Sequence, residues 1–146
     1  NLVVAGAAIV IAFVQLQVRI SIISFIWLVL AILGGTLIFS GIMMIQIIPS
    51  FWTIRTDAIG TVDWVFQTIT RYPLTIFSKV LQVALTFVIP YAFINFYPAQ
   101  IFISNGNLLE MPSFVKYMTL PVGAIFFCVM YLIWKQALKH YGSSGS

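Results

Sequence analysis

Residues 19–55 read RISIISFIWLVLAILGGTLIFSGIMMIQIIPSFWTIR, and between Arg19 and Arg55 lie 35 residues without one charged side chain. A helix rises about 1.5 Å per residue, so about 20 apolar residues cross the hydrocarbon core of a bilayer. The run from Ile20 to Ile48 offers up to 29. That excess predicts a helix that tilts, kinks or projects from the bilayer, stopped by Pro49, whose ring cannot continue it. A soluble domain cannot hide so long an uncharged stretch. The expected fold class is therefore all-α integral membrane.

The rest of the chain agrees. Hydrophobic residues make up 62% of the 146 and charged residues 7%, against about 25% charged in an average soluble domain. Mean hydropathy is +1.09. Outward from the central run, further spans are expected over about 2–16, 80–97 and 117–134, four in all. They form a single transmembrane domain fragment over 1–146. Ser104-Asn105-Gly106-Asn107 is a turn signal, and a short interfacial helix is expected over 108–115. The chain opens at Asn1, is apolar from Leu2 and has no charge before Arg19. It lacks the basic start of a signal peptide. The C-terminal part of a longer protein is the expectation.

The seven basic residues are scattered and form no nucleic-acid patch. In a membrane protein their placement sets orientation. Arg55, Arg71, Lys79, Lys135 and Lys139 would share one side, with Arg19 and Lys116 on the other. The bias puts the C-terminus and the 50–79 segment in the cytoplasm. Tyr97 and Trp134, at the ends of their spans, fit an interfacial aromatic belt. Cys128, the one cysteine, is expected as a small buried hydrophobe.

The stretch after the central run differs. Ile59, Val62, Phe66 and Ile69 recur every three or four residues, with Asp57, Thr61 and Thr68 largely on the other face. This predicts an amphipathic cytoplasmic helix over about 56–70. It either lies flat at the headgroups as an anchor or docks a cytoplasmic protein.

Few residues could do chemistry. The acids are Asp57, Asp63 and Glu110, and the one histidine is His140. No cluster has metal-ligand spacing, and no G-x-x-x-x-G-K-[ST] phosphate loop is present. No enzyme is expected. A charge at mid-bilayer costs about 2.5–3.5 kcal/mol on insertion scales and marks function when present. The expected spans carry none, which argues against proton or ion coupling through them. Within 80–97, Gln82, Thr86 and Pro90 fall on one stripe at i, i+4 and i+8, with Asn95 beyond. Pro90 cannot donate to the Thr86 carbonyl, so another partner or a kink is required. Such a stripe could line a substrate path or bind helix to helix. Ala31 and Gly35 make a small-xxx-small pair, with Gly34, Ser40 and Gly41 nearby, a weak packing signal.

Arg71-Tyr72-Pro73-Leu74, then Leu85-Thr86-Phe87-Val88-Ile89-Pro90, then Ala92-Phe93-Ile94-Asn95-Phe96-Tyr97-Pro98-Ala99 form a long motif. Phe51-Trp52 precedes it, and Trp134, then Lys139-His140-Tyr141 and Gly142 to Ser146, close the chain. This pattern resembles the ABC-2 family permeases formerly known only as a domain of unknown function. The resemblance covers about residues 50–146 well and the first spans by hydropathy. Ser144 stands where that family tends to have Thr.

The resemblance implies the C-terminal part of a six-span permease, in the bacterial inner membrane, with a cytoplasmic C-terminus. It implies an exporter subunit that pairs with a same or related permease and is driven by a separate ATP-binding subunit. ATP would be bound by that partner, with no cofactor in this chain. Asp57, Asp63 and Arg71 are candidates for the ATPase contact. Gln82, Thr86, Pro90 and Asn95 are candidates for the pathway or the dimer seam. The competing expectation is a membrane structural or assembly subunit that transports nothing.

Overall fold

The computed structural model describes residues 2–15, 21–51, 72, 74–102 and 112–139. Among these residues the regular structure is helical, without strands, as expected for an all-α membrane protein. The segment expected as an amphipathic helix, 56–70, lies outside the described residues, as do Arg19, Asp57, Asp63, Arg71, Glu110 and His140.

The first helix, α1 (Leu2–Gln15), has 14 residues. At about 1.5 Å each it reaches about 21 Å, short of a bilayer's hydrocarbon core on its own. The central run forms α2 (Ile22–Ile47), 26 residues long. Ser21 caps it in an extended conformation, its hydroxyl accepting from the Ile23 N–H at 3.4 Å, as a cap residue should. Thr36 and Ser40 donate to the carbonyls of Ile32 and Thr36, each at 2.8 Å. Their hydroxyls are thereby satisfied without water. A 3-10 turn, Ile48–Phe51, ends the run around Pro49.

The last helix, here α5 (Thr119–Lys139), has 21 residues. Pro121 is tolerated because it sits in the first turn, where its missing N–H has no intrahelical partner to lose. A 3-10 turn, Ser113–Tyr117, leads into it. By length and composition α2 and α5 can each cross a membrane.

Between them lies α3 (Lys79–Val88), then a bend of 76°, then a 3-10 turn (Tyr91–Phe93) and α4 (Phe96–Phe102). The rod expected over 80–97 is thus broken near its middle. With the bent pair counted as one crossing, the described residues hold up to three candidate spans.

Contacts fix the directions. Gly34 sits against Thr119 and Leu120, and Gly41, seven residues on, sits against Phe126 and Met130. Contact advances the same way along both helices, so α2 and α5 run parallel. Gly35 faces the Ile94 backbone, while Ile101 lies with Trp27, Leu30 and Ala31 around one cleft. Contact there moves backwards along α2, so α4 runs antiparallel to it. The ends of α2 and α5 marked by Ile47 and Lys139 therefore share one side.

The glycines are what make this packing possible. A Cβ on Gly34 would stand 2.6 Å from the Thr119 carbonyl oxygen and 2.7 Å from backbone atoms of Leu120. A Cβ on Gly123 would collide with the Gly34 carbonyl. The small residues of α2 thus act singly: Gly34 and Gly41 meet α5, and Gly35 meets the bent segment. The core joins α2 to that segment. Ile38 and Ile42 are fully buried, clustered with Leu74, Leu85, Tyr91, Ala92, Phe93 and Tyr97.

Candidate functional site

The bent segment holds all four described candidate residues, and the reason for its bend starts at Pro90. The residue before a proline is pushed out of the helical region, and Ile89 is extended at φ −118, ψ 101. Pro90 has no N–H to give to the Thr86 carbonyl. The helix widens just ahead of it into a π turn, Ala84–Val88, and Ile89 donates to the Ala84 carbonyl at 3.1 Å. Short turns then satisfy the break: Tyr91 donates to Ile89 at 2.5 Å, Phe93 to Pro90 at 3.2 Å and Ile94 to Tyr91 at 3.0 Å. Asn95 accepts from the Ala99 N–H at 3.0 Å through its carbonyl. Pro98 falls in the first turn of α4, so it costs no intrahelical bond.

The polar stripe is turned inward and is bonded. The Gln82 amide folds back and donates to the Phe77 carbonyl at 2.8 Å, just ahead of the helix. Thr86, 3% exposed, donates to the Gln82 carbonyl at 2.7 Å. Its oxygen also lies 3.2 Å from the Tyr97 hydroxyl. The threonine's single proton is already given to Gln82, so Tyr97 donates to Thr86 across the bend. Pro90 is buried at the apex, whereas Asn95 is exposed. The π turn and the extended Ile89 interrupt the regular spacing that put Gln82, Thr86 and Pro90 on one stripe, and Asn95 stands on the rim of an open cleft. That cleft is small and is walled by Tyr72, Leu85, Tyr91 and Phe96.

Tyr97 corrects an expectation. Its place in the sequence suited an interfacial belt, yet it is 1% exposed. It packs against Phe93 with ring centroids 4.7 Å apart and against Phe96 at 5.5 Å. Only the bend brings it to Thr86, so no local spacing announced the pair. Trp134 is half-buried and stacks on Tyr131 at 5.9 Å. Cys128 is exposed rather than buried. Gln46 and Gln100, which nothing in their spacing singled out, are buried with amide nitrogens that lack a hydrogen-bond partner among the described residues. No group of three metal-ligating side chains occurs among the described residues.

Two apolar helices packed in parallel, with a proline-broken pair between them and a hydroxyl bond closing the break, are membrane architecture. A family model described as "ABC-2 family transporter protein" matches residues 1–145. The chain belongs to the ABC-2 transporter family. No curated protein and no solved structure gives a significant match. Membership makes the chain a membrane component of a transporter, and α2 and α5 are apolar enough to supply the spans. In this ABC-2 protein the Thr86–Tyr97 pair joins the two arms of the bend, its hydroxyls bonded to each other and to backbone. Asn95 is exposed beside its aromatic cleft.

Proposed function

We propose that the chain is part of the permease subunit of an ABC-2 exporter of the bacterial inner membrane. A separate ATP-binding subunit supplies the energy, and a second permease, the same or related, completes the complex. The observation that carries this reading is the family match over nearly the whole chain, on a framework of parallel apolar helices. Nucleotide binds to the partner, and no cofactor or catalytic residue belongs to this chain. ATP-driven closure of the partner reaches the spans through cytoplasmic elements and shifts the permease between inward and outward states.

The topology follows from direction. If α2 and α5 both cross the bilayer in parallel, the chain between them crosses back an odd number of times. The bent pair supplies that return, because α4 runs antiparallel to α2. This geometry supports a cytoplasmic side holding the Ile47 end of α2, Lys135 and Lys139, in line with the positive-inside bias. The 56–70 segment, with Asp57 and Asp63, and the following Arg71 then lie on the side of the ATPase and form the contact. Gln82, Thr86 and Pro90 shape the bend, and Asn95 faces the pathway or the permease seam.

Purification of the natural full-length protein in mild detergent tests this. An ATPase should come down with it, and its turnover should fall when Asp57, Asp63 and Arg71 are changed together to Ala. Correct membrane insertion with no bound ATPase would sink the transporter reading and leave a structural or assembly subunit, the role favoured by the closed Thr86–Tyr97 pair.

A further inference from the structure

A small open cleft lies where the start of α5 meets the first turns of α2 and the end of α4. Trp27, Ala31, Ile101, Lys116, Tyr117 and Thr119 line it. Three kinds of group there want a partner. Thr119 is 3% exposed, and its hydroxyl has no hydrogen-bond partner among the described residues. Buried hydroxyls in folded proteins are nearly always bonded. Lys116 is half-buried beside it and makes no ion pair among the described residues. The N–H groups of Thr119 and Leu120 open a 21-residue helix, so they have no intrahelical acceptor and carry the positive end of its dipole.

A water molecule could bond Thr119 but would leave the lysine charge unanswered. The chain itself is poor in anions, with three acidic residues against seven basic ones. A phosphate oxygen meets all three demands, and helix starts with a nearby cation bind phosphate readily. The cleft's position indicates where that phosphate comes from. Trp27 and Tyr117 pack with ring centroids 4.6 Å apart, at the ends of two spans, where Trp and Tyr rest among lipid headgroups.

We propose that this cleft binds the phosphate of an anionic phospholipid headgroup, held by Lys116, Thr119 and the first turn of α5. The inference needs only the membrane location, and it stands whether or not the protein transports. Bound lipid would tie α2, α4 and α5 together at the end opposite Lys139.

The full-length protein in detergent, titrated with phosphatidylglycerol or phosphatidylcholine, tests it by native mass spectrometry and thermal unfolding. Phosphatidylglycerol should be retained and should raise the unfolding temperature, and phosphatidylcholine should do neither. K116Q should weaken retention about tenfold, the loss expected for one charge-assisted hydrogen bond, and K116R should restore most of it. T119V should weaken it less, and K116Q reads the site alone if T119V fails to fold. K139Q, at the opposite end of α5, should change nothing. Equal retention of phosphatidylcholine, or retention that survives K116Q, overturns the proposal. So does equal, Lys116-dependent stabilisation by inorganic phosphate alone, which would make the ligand a soluble anion.

Discussion

Along α2 and α5 contact is made where side chains are missing, whereas across the 76° bend it is made by a tyrosine hydroxyl given to a threonine. The contrast follows from the solvent. Lipid tails are as apolar as leucine, so apolar side chains alone do not drive helices together. Close backbone approach gains dispersion contacts, and only glycine permits it. The bend has the opposite difficulty. It frees backbone groups that no water can satisfy, so turns and hydroxyls must bond them. One region is therefore damaged by adding atoms and the other by removing them.

The largest effect should come from a single methyl at the crossing. Gly34→Ala places a Cβ 2.6–2.7 Å from backbone of Thr119 and Leu120, and Gly123→Ala drives one into the Gly34 carbonyl. Backbone cannot swing aside as a side chain can. Overpacking typically costs about 1–3 kcal/mol, and these sites should lie at the upper end. Reversible unfolding of the solubilised protein would read this. Wild-type stability in both variants would break the crossing described above.

A graded series sharpens the same comparison. Gly41→Ala meets the Phe126 ring at 2.8 Å, a side chain that can turn, and should cost less than Gly34→Ala. Gly35→Ala finds its nearest atom, the Ile94 carbonyl oxygen, at an ordinary 3.5 Å, and should be near neutral. The order should run Gly123 and Gly34, then Gly41, then Gly35. If Gly35→Ala proves the most damaging of the four, the Ala31–Gly35 pair regains its claim as the packing face.

These glycines also show how far the sequence could be read. The run over 20–48 became a helix over Ile22–Ile47 because its signals are local: apolar length, the Ser21 cap and Pro49. Small residues in α2 were visible too, but adjacent glycines point about 100° apart on a helix of 3.6 residues per turn. Which of Gly34 and Gly35 meets α5 depends on neighbours distant in sequence. Pro90 announced a kink for the same local reason that any helical proline does. The π turn before it was not legible, since no local signal says that Ile89 will donate to the Ala84 carbonyl. Cys128 is exposed, although a free cysteine in a water-soluble fold is usually buried. An apolar side chain on a membrane helix can face outward at no cost. Asn95 was legible as a polar outlier, but its separation from the stripe follows from the bend.

The smallest effect tests the other half of the comparison. Tyr97→Phe removes the donor across the bend but leaves Thr86 bonded to the Gln82 carbonyl. Thr86→Val keeps the shape and removes both of that hydroxyl's bonds, leaving the Tyr97 hydroxyl buried and unpaired. Interhelical hydrogen bonds in membranes average about 0.6 kcal/mol in double-mutant cycles. A cycle over Thr86 and Tyr97 should therefore return about that coupling, well below the cost of a methyl at Gly34. The asymmetry matters more than the size. Thr86→Val alone should cost more than Tyr97→Phe alone, because it strands a buried donor, and adding Tyr97→Phe to it should recover part of the loss. Strictly additive effects would mean that the two hydroxyls do not bond, and that the bend is held by Pro90 and the packing of Phe93 and Phe96 on Tyr97.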